Sequence, residues 1–93
     1  MATKVAAARA LTYAAADRMR KGDTVVAEVA MAKNLASDVA REVTWEAVQI
    51  HGGMGYIRET VVERFARDAR LLPIGGGTQE IMREIIAKMG LGL

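Results

Sequence analysis

The chain has 93 residues and a mass of 10.0 kDa, which suffices for one domain but excludes separate cofactor and substrate domains. Thirteen Lys and Arg residues against eleven Asp and Glu leave a net charge of +2, and the two signs alternate along the sequence, which disfavours nucleic-acid binding. The chain has no cysteine, no secretory signal and no apolar stretch of roughly 20 residues, so we expect a cytoplasmic protein without disulfides or a membrane span.

Helix-forming residues dominate the sequence, and no segment has the alternation typical of a strand. We therefore predict an all-α fold, in which residues 1–93 form a single helical domain, a bundle of up-down helices with one long helix. The first helix is predicted to end before Gly22, because glycine is common just beyond a helix end. Its inward stripe consists of Val5, Ala8, Thr12, Ala15 and Met19.

The second predicted helix is the long one. Asp23 or Thr24 is expected to cap it, and it runs to about Ile50, a length of about 40 Å. Its seam has the four-and-three spacing of a helical bundle: Val25, Val29, Ala32, Ala36, Val39 and Val43, continuing toward Ala47 and Ile50. Such a helix is longer than a chain of this size needs for itself, so we expect a larger assembly, a homo-oligomer rather than a monomer.

A first glycine cluster, H-G-G-M-G-Y, follows this helix. Glycines at 52, 53 and 55 cannot sustain a helix and allow positive φ, so the chain is expected to turn there. Thr60 and Glu63 have the spacing of a capping box, which predicts a third helix that runs to Pro73. The side chains expected to point inward are Val61, Phe65, Ala69 and Leu72.

A second glycine cluster, residues 75–77, precedes the last predicted helix, which begins at Thr78 or Gln79 and ends before Gly90. The glycines leave the backbone without side chains next to the free N–H groups at the start of a helix. Such a backbone can bind an anion or a polarised carbonyl oxygen. A tight connection demanded by packing would explain the same glycines. The inward side chains of this helix are predicted to be Ile81 or Met82, Ile85, Ile86 and Met89.

Other candidate groups favour structural roles. His51 is the only histidine, so it has no partner for a metal site, and its place at a helix C-terminus favours a dipole interaction over catalysis. The arginines of residues 58–70 are interleaved with acids at helical spacing, which is typical of surface ion pairs rather than of phosphate binding. No catalytic triad can be assembled, and we predict no metal ligand.

Residues 47–81, AVQIHGGMGYIRETVVERFARDARLLPIGGGTQEI, carry three linked signatures: Q-I-x-G-G-x-G, R-D-A-R and G-T-x-E-I. In this order and spacing they resemble the C-terminal part of the flavin-dependent acyl-CoA dehydrogenases, strongly from Ala47 to Ile86 and weakly from about Ala8. Members of that family are longer, with a helical domain and a β-domain ahead of a C-terminal helical bundle. The chain resembles only the later helices of that bundle, as a fragment would.

The resemblance implies that the cofactor is FAD, the substrate an acyl-CoA thioester and the setting fatty acid metabolism, with an electron-transfer partner for the full-length enzyme. It implies that Gly76 and Gly77 bind the substrate, the Gly76 N–H facing the thioester carbonyl. The residues implied to contact FAD form two groups. They are Gln49, Ile50, His51, Gly52 and Gly53, which face a flavin held mainly by a neighbouring subunit, and Thr78, Gln79 and Glu80.

Position 76 departs from many family members, which have the catalytic glutamate there. A subset that includes the isovaleryl and long-chain types places this glutamate on an earlier helix, and the glycine at 76 resembles that subset. The resemblance thus implies that the chain contains no catalytic base and is inactive in isolation. The alternative function is a non-catalytic helical oligomerisation or scaffold module, and a basic helical nucleic-acid binder is a third hypothesis.

Overall fold

The computed structural model describes all 93 residues, and its regular elements are all helical. The principal helices are α1 (Ala2–Arg20), α2 (Val26–His51), α4 (Val61–Ala69) and α5 (Gln79–Ile85). A short α3 (Gly53–Tyr56) follows α2, and a π-helical turn (Ile86–Gly90) continues α5. The prediction of an all-α fold with one long helix is therefore confirmed.

The long helix α2 is the spine of the domain. It contacts every other helical element, whereas α1 contacts only α2, and α4 does not contact α5. Ion pairs of Lys4 with Glu42 and of Arg18 with Glu28 show that α1 runs antiparallel to α2. The molecule measures 47 × 23 × 18 Å and has a radius of gyration of 15.4 Å, against about 12 Å for a compact chain of this length.

The core is small and built mainly from alanine. Eleven of the 93 residues are buried, and no large side chain is completely buried. The accessible surface is 6498 Å², whereas a folded monomer of this mass exposes about 5,200 Å². The buried hydrophobic residues are Ala8, Ala15, Val25, Ala27, Ala30, Ala32, Val39 and Ala69. Their small size lets α1 approach α2 closely and leaves the larger apolar side chains outside the core.

Several side chains predicted to point inward are exposed, so this part of the sequence analysis is wrong. On α4 only Ala69 is buried, although the pattern predicted a whole inward stripe. The reason is that α4 contacts α2 and α3 only, so nothing in the chain covers the rest of its apolar face. The exposed side chains from the predicted stripes are Thr12, Met19, Val29, Ile50, Val61, Phe65, Leu72 and Met89. Of the two alternatives Ile81 and Met82, Met82 is the half-buried one.

The start of α2 differs from the predicted cap at Asp23 or Thr24. Val25 occupies the N-cap position without a side-chain hydrogen bond. The Asp23 carboxylate instead accepts from Arg18 at 3.4 Å, and Arg18 also donates to Glu28 at 2.9 Å. The backbone N–H of Glu28 and, next, the Arg18 guanidinium hold the pKa of the Glu28 carboxyl below its usual range. Stability from this pair is therefore present above the usual pKa and is lost as the pH falls through the lowered one.

The capping box predicted for α4 does not form. Thr60 is the N-cap residue, but its hydroxyl makes no capping hydrogen bond. The Glu63 carboxylate accepts from Arg67 one turn later instead of reaching back to the N-cap. The helix also ends at Ala69, and tight turns rather than α-helix carry the chain on to Pro73.

The first glycine cluster is more regular than predicted. Gly52 has φ +62° and ends α2, but residues 53–56 form the short helix α3, so glycine does not exclude helix here. Gly55 is buried against α2.

A bilayer-spanning helix is absent, since none of the helices combines the required length with the required apolarity.

The start of α5 agrees with the prediction. Thr78 is the N-cap residue, and its Oγ1 accepts from the Ile81 N–H at 3.2 Å. We expect Thr78→Ala to lower the free energy of unfolding by about 1 kcal/mol, because that N–H loses its partner. Urea denaturation followed by circular dichroism measures the change.

Thr60→Ala is the matched control for the Thr78 variant, since Thr60 occupies an N-cap position without a side-chain bond. We expect this control to remain within about 0.5 kcal/mol of the unmodified chain. Equal losses at the two positions would show that the Thr78 hydroxyl does not stabilise α5.

Candidate functional site

The second glycine cluster lies in a closed loop between the turns after α4 and the start of α5. The Gln79 N–H donates to the carbonyl oxygen of buried Pro73 at 3.1 Å, which joins the two ends of the loop. Gly76 has φ +67° and Gly77 has φ +105°. L side chains rarely adopt these conformations, so the backbone path itself requires glycine at both positions.

This loop contains unpaired backbone donors. The N–H groups of Gly76, Gly77 and Thr78 donate no hydrogen bond within the chain. A Cβ atom placed on Gly76 would meet nothing within 4 Å, so the space beside this residue is open. Such a set of donors can bind a carbonyl oxygen or an anion and can stabilise negative charge that develops on it.

Lys33 of α2 supports the loop from the opposite side. Its Nζ donates to the carbonyl oxygen of Gly75 at 2.9 Å and to that of Gly77. This half-buried lysine was not among the site residues predicted from the sequence. The available signal was a charged residue that interrupts a run of small and apolar residues in the middle of the long helix.

The predicted cofactor residues beside this loop are partly engaged within the chain. The Gln79 Nε2 donates to Asp38 Oδ1 at 2.6 Å. The backbone carbonyl oxygen of Gln79 accepts from Asn34 Nδ2 at 3.3 Å. The Thr78 hydroxyl caps α5. Glu80 is exposed and belongs to no ion pair. The Thr78 hydroxyl accepts in the cap but retains its own proton, so this segment offers a ligand that O–H together with free backbone N–H groups.

The first predicted cofactor group lies at the other end of α2. Gln49 and Ile50 are exposed, and the His51 Nδ1 lies 2.8 Å from the backbone carbonyl one turn earlier. Added Cβ atoms on Gly52 and Gly53 would meet nothing within 4 Å. The backbone of this turn is therefore open to close approach by a ligand or another chain.

The structure does not bring the two predicted cofactor groups together. The loop at 75–77 lies beside Lys33, and Gln49 lies 16 residues further along α2, which corresponds to about 24 Å. Gln49 instead lines an open cleft of about 1280 Å³ between α2 and α4, together with the exposed Trp45 and Tyr56. One copy of the chain thus presents two separate surfaces rather than one pocket.

The surface ion pairs predicted for the arginines of residues 58–70 form at only one of the four arginines, Arg67. The Arg67 guanidinium pairs with Glu63, which raises the pKa of Arg67. The Arg64 guanidinium lies 5.6 Å from the centre of the Phe65 ring, as in a cation–π contact. The charge of Arg67 is therefore matched by a carboxylate, whereas Arg58, Arg64 and Arg70 belong to no ion pair.

Comparison with known proteins identifies the relatives of this domain. Residues 1–91 match the family model for the acyl-CoA dehydrogenase C-terminal domain. The chain is 49% identical over 92 residues to an acyl-CoA dehydrogenase of Bacillus subtilis, covering 99% of the chain and 24% of the relative.

Solved structures give the same result. A probable acyl-CoA dehydrogenase from Mycobacterium abscessus is 55% identical with a TM-score of 0.93, over 96% of this chain and 24% of that one. Butyryl-CoA dehydrogenase from Megasphaera elsdenii is 43% identical with a TM-score of 0.94, over 98% of this chain and 24% of that one.

The helical architecture and the glycine loop thus define a domain of the acyl-CoA dehydrogenase type. The chain belongs to the acyl-CoA dehydrogenase family and corresponds to its C-terminal domain. It spans about a quarter of the length of the curated relatives it matches.

Proposed function

We propose that this domain supplies part of the thioester site and part of the FAD site of an enzyme that removes the α- and β-hydrogens of an acyl-CoA. The observation that carries the proposal is the set of free N–H groups at residues 76–78, of which the Gly76 N–H lies beside open space. These donors are held in a closed loop and have no partner within the chain. The substrate-binding residues proposed are Gly76 and Gly77.

The chemistry explains why such donors are needed. An α-C–H beside a thioester is a weak acid, and its removal leaves negative charge on the carbonyl oxygen. Donors that are already in place stabilise this charge without reorganising during the reaction. The Gly76 N–H is free, and the space beside it is open, so it is the donor proposed to receive the oxygen.

The residues of the two glycine turns fit contacts to FAD mainly through their backbone. Gly52 and Gly53 are open to close approach, and Thr78 retains a free N–H. The exposed carboxylate of Glu80 would repel a diphosphate, so it is the weakest of the proposed contacts. When bound, FAD supplies the acceptor for the hydride that leaves the β-carbon. The two glycine turns lie next to points of α2 that are far apart. We therefore propose that they contact flavins in different subunits of a homo-oligomer.

Position 76 bears on where the catalytic base lies. Glycine there leaves the loop without a carboxylate, which supports a relationship to the isovaleryl and long-chain subset. We propose that the α-proton passes to a glutamate outside these 93 residues. The isolated chain is accordingly expected to bind ligands but not to turn over an acyl-CoA.

The uncovered apolar surface supports assembly with further protein. The accessible surface of 6498 Å² exceeds that of a compact monomer by about 1,300 Å², more than the roughly 800 Å² that each partner buries in a standard interface. This observation supports subunit contacts of the enzyme, and it equally favours the alternative of a non-catalytic oligomerisation module. The electron-transfer partner implied by the family resemblance belongs to the same proposal.

Titration of the ¹⁵N-labelled chain tests the function. We expect butyryl-CoA to shift the amide signals of Gly76 and Gly77, because its carbonyl oxygen engages the N–H groups proposed to bind the substrate. We expect FAD to shift the signals of Gly52 and Gly53 and to raise the melting temperature by binding the folded state.

Free CoA is the control for the titration, since it has the nucleotide and the thiol but no thioester carbonyl. It should leave the signal of Gly76 in place. If butyryl-CoA and CoA had the same effect, and FAD had none while the chain self-associated, the oligomerisation module would be the better description.

A further inference from the structure

Lys33 has a role that its sequence context does not reveal. Its ammonium donates to two carbonyl oxygens of the glycine loop, those of Gly75 and Gly77. We infer that Lys33 is a positioning residue, which orients the backbone of this loop so that the N–H groups of Gly76 and Thr78 face the ligand. The identity of that ligand as a thioester rests on the function proposed above.

The geometry of the peptide group carries the first step. The chain contains no cis peptide bond, and in a trans peptide the N–H points opposite to the C=O of the same group. The Gly75 carbonyl and the Gly76 N–H belong to one peptide group, and the Gly77 carbonyl and the Thr78 N–H to another. Because both carbonyls point toward Lys33, both N–H groups point away from it. These are two of the donors that have no partner within the chain.

The glycines make such an anchor necessary. Gly76 and Gly77 have positive φ angles of +67° and +105°, and glycine has wider backbone freedom than any other residue. The Gly75 N–H donates to the Leu71 carbonyl oxygen at 2.9 Å, but no backbone N–H from Gly76 to Thr78 donates a hydrogen bond that would orient its peptide group. The hydrogen bonds from Lys33 fix two of these peptide groups. Lys33 belongs to α2, the spine of the domain.

The charge of Lys33 adds an electrostatic effect. Lys33 belongs to none of the ion pairs of the chain, so no carboxylate neutralises it there. A hydrogen bond from a cation to a carbonyl polarises the amide group and makes its N–H a stronger donor. Lys33 thus favours negative charge on an oxygen bound to the Gly76 N–H, although it does not touch that oxygen.

A labelled chain with Lys33→Met tests the inference, because methionine retains much of the apolar stem without the ammonium. We expect the heteronuclear NOE values of the Gly76 and Thr78 amides to fall to those of a flexible segment while helix signals keep their positions. We expect the affinity of the Gly76 signal for butyryl-CoA to weaken about tenfold, the effect of losing a hydrogen bond to a charged group. Lys33→Arg should restore both, since a guanidinium can donate to two carbonyls.

Lys88→Met is the charge-matched control, because Lys88 is exposed and lies outside the loop. It should behave as the unmodified chain. A loop that stays ordered in Lys33→Met, with unchanged affinity, would overturn the inference. If the unmodified chain ignored butyryl-CoA while Lys33→Met still disordered the loop, the positioning role would stand and the thioester function would fail.

A measurement without substitution covers the case in which Lys33→Met does not fold. Scalar coupling across hydrogen bonds connects a donor nitrogen with the carbonyl carbon of its acceptor. We expect such couplings from the Lys33 Nζ to the carbonyl carbons of Gly75 and Gly77 at low temperature. A rotating Lys33 ammonium that exchanges freely with water and shows neither coupling would overturn the inference.

Discussion

Replacing Gly55 with alanine is expected to lower the free energy of unfolding by about 3 kcal/mol, the upper range for overpacking a buried site. A Cβ atom there would lie 2.5 Å from the carbonyl oxygen of Val48 and 2.9 Å from the Cβ of His51. Backbone atoms of α2 cannot rotate away as the end of a flexible side chain can. The clash can be relieved only by moving α3 away from α2.

Gly53→Ala is the matched control for this prediction. Gly53 also lies in α3, but an added Cβ would meet nothing within 4 Å, and its φ is not positive. Alanine in a helix is favoured over glycine by roughly 0.5–1 kcal/mol, so this variant should be as stable as the unmodified chain or slightly more so. Urea denaturation of both variants measures the difference. Similar losses would mean that the close contact of Gly55 does not limit stability.

The contact of Gly55 also matters for the proposed function. It holds α3 against the last turn of α2, which is where residues 49–53 present their open backbone. A change that lifts α3 would therefore disturb that surface as well. In Gly55→Ala we expect the FAD response of Gly52 and Gly53 to weaken together with the stability.

The helices could be predicted from the sequence because their signals are local. The long helix α2 ends within a residue of its predicted end, since Gly52 follows with a positive φ. The helix α5 begins at Gln79, one of the two predicted starts, with Thr78 as its N-cap residue. The caps predicted at Asp23 and Thr60 did not form because competing ion pairs between near neighbours in the sequence engage the side chains concerned, Asp23 with Arg18 and Glu63 with Arg67.

Burial could not be predicted as well as helix position. The apolar period of α4 identifies one face, but it does not say what covers that face. In this chain no further helix packs on Phe65 or Leu72, which remain about half exposed. The other helices pack on α2 and mostly not on one another. This tertiary arrangement cannot be read from the period of the apolar residues.

The glycines of the candidate site could be identified from the sequence, but Lys33, which holds the loop, could not. The sequence marks Gly76 and Gly77 because three adjacent glycines are conspicuous. Lys33 lies 42 residues before Gly75, and no motif links the two positions. Only the packing of the loop on α2 brings the ammonium to the carbonyl oxygens.

Substituting valine for Gly76 is expected to reduce kcat/KM for an acyl-CoA by at least about 100-fold in a complete dehydrogenase that contains this domain, the loss typical of removing one oxyanion donor. The φ of +67° disfavours a side chain, by about 1–2 kcal/mol. The peptide groups that carry the Gly76 and Thr78 N–H are therefore expected to rotate. The valine methyl groups would also occupy the open space beside the N–H.

Gly22→Val separates backbone strain from loss of the site. Gly22 has φ +89°, and an added Cβ there would also meet nothing within 4 Å, but it lies in the α1–α2 connection. We expect both variants to lose similar stability, because both force a β-branched residue into a left-handed backbone. Only Gly76→Val should lose turnover. Steady-state kinetics at a temperature where both variants are folded provides the measurement, and equal turnover in the two would show that the Gly76 N–H does not contact the reacting thioester.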